Sequence, residues 1–109
     1  MQITDSDERD STWEQWESTF RVYFTDTTTS ATRTIDLTDA TFGEVHLWAE
    51  QSAAPAEVIA IALVGFDARG LRGLTWLVGM DPNDLADTAL QGRMLREMAV
   101  ARDRRQHRE

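Results

Sequence analysis

The stretch from Val58 to Gly79 constrains this chain more than any other. Val58, Ile59, Ala60, Ile61, Ala62, Leu63, Val64, Gly65 and Phe66 form an unbroken apolar run. A strand with one wet face alternates apolar and polar residues; this one does not, and its return strand barely does. Asp67, Ala68, Arg69 and Gly70 fit a tight hairpin closure with Gly70 in the left-handed position. That closure sets Asp67 opposite Leu71 and Ala62 opposite Trp76. Phe66, Val64, Leu74, Trp76 and Val78 then share one face, and Ile59, Ile61, Leu63, Leu71 and Leu77 the other. Both faces are apolar, so both need a cover.

The rest of the chain supplies candidate covers. Phe20, Val22 and Phe24 alternate with Arg21, Tyr23 and Thr25, and Ile35 and Leu37 alternate with Thr34 and Asp36. These read as a first hairpin with one wet face. Asp39 or Thr41 can cap a following helix, Thr41 with Glu44 as a capping box. Phe42, Val45, Trp48, Ala49 and Ser52 make its apolar stripe, and Pro55 ends it. After the second hairpin, Asp81 and Pro82 predict the start of a last helix. Its apolar face drifts between Leu85, Ala86, Ala89 and Leu90 and the later Met94, Met98 and Ala101. Ser11 with Glu14 leaves room for a short additional helix ahead of the first hairpin.

The pattern is therefore α+β, in the order ββαββα. It predicts a four-stranded antiparallel sheet with its helices packed on one face, and reads as a pseudo-repeat of one ββα unit. Residues 1–10 read as a flexible acidic lead-in and residues 11–109 as a single α+β domain.

Charge narrows the function classes. The formal net charge is −8. Residues 1–92 carry 16 acids and 5 arginines, and residues 93–109 carry 3 acids and 6 arginines. An acidic body repels nucleic acid and anionic membrane, leaving only the arginine-rich end to attract them. Nucleic acid is therefore a disfavoured partner, and the apolar runs are too short for a membrane span. With no cysteine, thiolate metal sites are excluded and a reducing compartment fits. The acidic, polar residues 1–10 do not read as a signal peptide, and the expected location is cytoplasmic.

Catalysis needs convergent polar groups, and this chain offers few. His46 one turn before Glu50 is the best acid–base pair, but a surface pair on a helix is the stronger reading of it. Asp81, Asp84 and Asp87 recur every three residues, as a helix N-terminus favours without any metal. The chain has no calcium-loop pattern and no phosphate-binding glycine loop. Neither an enzymatic activity nor a cofactor is expected.

What remains is association. Trp13 and Trp16 stand between Glu14 and Glu17, like aromatic anchors with an acidic rim, or like rings folded over the chain's own sheet. Met94 and Met98 suit an adaptable interface. The expectation is a small acidic, non-catalytic protein-interaction module that works as a homodimer or as a subunit of a complex. Its partner-binding residues would be Ile59, Ile61, Leu63, Leu71, Leu77, Trp13, Trp16, Met94 and Met98. The alternative is an acidic inhibitor, of antitoxin, immunity or DNA-mimic type, that occupies a basic site on a nuclease or other nucleic-acid-binding protein.

Overall fold

A computed structural model describes residues 1–11 and 13–107. Four strands and two α-helices follow in the order β1 (Thr19–Asp26), β2 (Thr32–Leu37), α1 (Phe42–Ser52), β3 (Glu57–Phe66), β4 (Arg72–Val78) and α2 (Ala89–Gln106). The sheet is antiparallel with strand order β2-β1-β3-β4. The α+β class, the four strands and the two hairpins are as the sequence predicts. The additional helix expected from Ser11 is not formed; one 3-10 turn spans Glu8–Asp10, and Trp13 to Ser18 run without helix or strand.

The helices do not share a face. α1 lies over Phe20, Val22, Phe24, Ile59 and Ile61, with Val45 and Ala49 buried and Trp48 edge-on to Phe24. α2 lies on the opposite face, where Met98, Met94 and Leu95 pack on Val58, Ala60, Tyr23, Trp76 and Met80. The expectation of helices on one face is thus corrected to one helix on each. The connectivity explains it. β2 and β3 run parallel on either side of β1, so β2-α1-β3 is a crossover whose handedness commits α1 to a single face. α2 follows the last strand and is under no such constraint. The open face is where its apolar stripe finds a partner. A true ββα repeat, related by a two-fold axis normal to the sheet between β1 and β3, would place both helices together. The pseudo-repeat therefore ends with the strands.

Side-chain size prepares that second face. Val58, Ala60 and Ala62 are small and leave a trough, flanked by Tyr23 opposite Ala60 and Trp76 opposite Ala62. The Tyr23 and Trp76 rings meet at 5.0 Å. Gly79, at φ 65°, lets Met98 approach the backbone where any side chain would collide with it.

α2 also begins later than Asp81 and Pro82 predict. Its cap is Thr88, whose hydroxyl accepts from the Gln91 amide while the Gln91 side chain accepts from the Thr88 amide. Asp81 closes a turn instead, accepting from the Asn83 amide at 2.9 Å. Asn83 then reaches Ser30 O and Thr32 Oγ1 in and after the β1–β2 turn. This shift resolves the drifting face. Leu85 and Ala86 are not helical, and the buried stripe is Met94, Leu95 and Met98 continued by the stem of Arg105. At the start of α1, Thr41 and not Asp39 is the cap, in the capping box with Glu44. Asp39 sits just before it at φ 54°.

Candidate interaction surface

The β3–β4 hairpin closes as its sequence predicts. The Asp67 amide donates to Leu71 O at 2.9 Å, Gly70 takes φ 78°, and the Asp67 carboxylate accepts from the Arg69 and Leu71 amides. Ala62 stands opposite Trp76. Beyond Trp76 the register shifts: Val78 stands opposite Ile61, leaving Leu77 as the extra residue of a bulge. The bulge turns Val78 away from Trp76 and onto the α1 face, where it packs with the core.

α2 covers only the half of its face nearest the start of β3. Toward the hairpin turn, Val64 is still buried, but Leu74 is 37% and Phe66 67% exposed. Arg72 lies over the Phe66 ring, 5.7 Å from its centroid. On the same face Arg21 of β1 grips Asp36 of β2 through two hydrogen bonds of 2.7 and 3.0 Å. That pairing holds the Asp36 carboxyl below, and the Arg21 guanidinium above, its ordinary pKa range. A groove of about 370 Å³ runs between Asp36, Phe66 and Arg72 and is bounded by Gln15 and Glu17. A larger one, about 740 Å³, lies beside Trp16 and is rimmed by Glu17, Asp39 and Glu44.

The residues predicted to bind a partner divide three ways. Ile59 and Ile61 are buried and Leu63 half-buried, all in the core beneath α1; Met98 is buried beneath α2 and Met94 half-buried there. The chain itself covers these five. Leu71 and Leu77 are about half exposed, on and beside β4. Trp13 and Trp16 are exposed, so neither folds over the sheet. Sequence reasoning assigned Phe66 and Leu74 to a face but not to a site. The overlooked signal was length: the apolar hairpin extends farther than one helix stripe can cover.

No known protein family, curated protein or solved structure matches this chain. The functional reading therefore rests on geometry alone.

The other candidates do not converge into a site. His46 is half exposed, its Nε2 3.7 Å from Glu50 Oε1, stacked on Phe42 and outside both grooves. Among the described residues, no cluster of three His, Asp or Glu is placed to hold a metal ion. No helix among them is long and apolar enough to cross a membrane.

The arginine-rich end behaves differently from a solvated tail. Arg105 is almost buried, donates to Glu57 O, and holds Nη1 3.6 Å from Glu50 Oε2. Arg102 donates to Thr27 Oγ1 and Gln106 to Pro55 O. Arg108, also part of that run, lies outside the described residues. Glu57, the carboxylate that opens β3, accepts two hydrogen bonds from Arg33 and one from the Ala54 amide. The Arg33 bonds are the main reason its carboxyl lies below the usual range, against the opposing effect of burial. Arg33 also covers the Phe24 ring at 4.1 Å. These groups lock α2, the α1–β3 connection and β2 together at the end of the sheet opposite the exposed patch.

Proposed function

We propose that this chain is a small acidic, non-catalytic protein-interaction module, acting as a homodimer or as a subunit of a complex. It docks through the uncovered end of the β3–β4 hairpin. The observation that carries the reading is Phe66, 67% exposed on a strand whose other half is core, with Leu74 on the same face. Phe66 and Leu74 leave on the order of 200 Å² of apolar side chain open on the face beyond α2, and Leu71 and Leu77 a similar area on the other face, so the end of the hairpin is apolar on both sides. Aromatic anchors of this kind dominate docking energetics when a partner desolvates them.

The test is Phe66→Asp. The variant should fold, because the ring is outside the core, and should lose association. Light scattering reads self-association. Purification of the tagged chain from its native source, wild type beside variant, reads a partner that depends on Phe66. A monomer with no Phe66-dependent partner refutes the reading.

The acidic-inhibitor alternative is favoured by the groove beside Trp16, where Glu17, Asp39 and Glu44 surround an exposed aromatic. Salt separates the two. Binding of a basic partner weakens as ionic strength rises. Two copies at −8 repel each other at long range, so their apolar association strengthens with salt.

A further inference from the structure

The interaction reading leaves the occupant of the surface open, and the outer edge of β4 narrows it. β4 is the end strand of the sheet. The Asp67 N–H to Leu71 O bond sets its parity: Leu71, Gly73 and Thr75 turn their backbone polar groups toward β3. By alternation, Arg72, Leu74 and Trp76 turn theirs outward. Among the described residues, no loop or turn backbone bonds to Leu74 or Trp76. Natural sheets protect such edges with charge or proline. The other edge strand, β2, carries Arg33 and Asp36, whereas β4 carries a single charge at its first residue, Arg72, and no proline.

We propose that β4 pairs with β4 of a second copy of this chain, antiparallel about a two-fold axis at Leu74, joining the sheets into one of eight strands. This deepens the interaction reading and rests on it. The bulge at Leu77 ends the regular part of β4, so the paired stretch is Arg72 to Trp76 and its midpoint is Leu74. That register is self-complementary. Leu74 meets Leu74 of the partner subunit as a hydrogen-bonded pair on the axis. Arg72 stands opposite Trp76 of the partner subunit, and their outward backbone groups pair as well. Arg72 already covers an aromatic ring, Phe66, and here meets a second. Gly73 has open space around it, so its backbone can be approached closely. Leu74, the Arg72 stem and the strand backbone lie at the join while Phe66 is one strand in, so the contact is smaller than the ~800 Å² each partner gives a standard interface and suits a weak, concentration-dependent dimer.

The chain has no cysteine, so single-cysteine variants report contacts cleanly. Cα atoms in a hydrogen-bonded antiparallel pair lie about 5.5 Å apart, within disulfide range. Leu74→Cys should form a covalent dimer under mild oxidation, while Val100→Cys, on the exposed side of α2, stays at least tenfold less cross-linked. Exchange of the Leu74 amide should slow at least tenfold as protein concentration rises, with the far-UV spectrum unchanged. A dimer in which Leu74→Cys does not cross-link and the Leu74 amide stays unprotected overturns the edge pairing, yet leaves the interaction reading intact if Phe66→Asp dissociates that dimer. A monomer at every concentration also overturns the edge pairing, and the interaction reading then stands or falls on a Phe66-dependent partner.

Discussion

Substituting Gly79 by alanine tests the placement of α2 directly. Gly79 sits between β4 and the segment that leads to α2, at φ 65°. Alanine in the left-handed region costs about 1–2 kcal/mol. Its methyl would lie 2.6 Å from Met98 Sδ and 2.8 Å from Met98 Cγ. Met98 has little room to retreat. It is buried with Val58, Ala60 and Met80, and its sulfur accepts the Met80 amide at 3.4 Å. Overpacking of this kind costs about 1–3 kcal/mol. Gly79→Ala should therefore lose about 2–5 kcal/mol, a large part of the ~5–15 kcal/mol that holds a domain together. Urea unfolding with an unchanged m-value reads the loss. Met98→Ala alone opens a cavity and costs about 2–5 kcal/mol. The double variant should be less destabilised than the sum by about 1–3 kcal/mol, because the new methyl then enters vacated space. If Gly79→Ala stays within about 0.5 kcal/mol of wild type, or if the two changes are additive, α2 does not pack on this face.

Glu57→Gln should cost about 1–3 kcal/mol at neutral pH, since it weakens charge-assisted bonds to a half-exposed Arg33. The folded-state pKa of Glu57 lies below its usual 4.5, so its stabilisation is complete above that value and lost as pH falls through the folded value. The stability gap between wild type and variant should therefore close on acidification, and a gap unchanged at about pH 3 would show that the ion pair contributes nothing. Thr88→Ala should destabilise by about 1 kcal/mol and Asp81→Ala by less than half of that, because the former removes a helix cap and the latter a turn bond. The reverse order in thermal melts would put the start of α2 where Asp81 and Pro82 suggest.

The strands were legible because period-two patterning and turn chemistry act locally. Phe20, Val22 and Phe24 alternate, Asp67 and Gly70 close their own turn, and the register of Ala62 against Trp76 follows from that turn. The faces of the helices were not legible, because a stripe of apolar residues does not say which side of a sheet it meets. Two clues existed. One was the size asymmetry of β3, with Ile59, Ile61 and Leu63 on one face and Val58, Ala60 and Ala62 on the other. Small residues under a strand's own neighbours invite a close helix, and Gly79 beside Met98 confirms the approach. The other was the apolar pair Leu85 and Ala86, which fits no single helix with Met94 and Met98. Thr88 with Gln91 carried the competing capping signal. Both capping boxes use threonine, while of the aspartates ahead of them Asp39 sits in a bend at φ 54° and Asp81 closes a turn.

The expected need for a second cover is mostly met within the chain, and that changes where a partner belongs. Each face of β3 has its own helix near the start of the strand, locked there by Arg105, Glu57 and Arg33. The excess apolar surface is pushed to the other end, where Phe66 and Leu74 project past the reach of α2. The two borders of the sheet then differ in kind. β2 exposes threonines beside the Arg21–Asp36 pair, a border that water solvates. β4 exposes leucine, which water solvates poorly, beside backbone N–H and C=O groups that an added strand could pair. Adding a charge at Leu74 should therefore act on assembly, and adding one at Ile61 on folding.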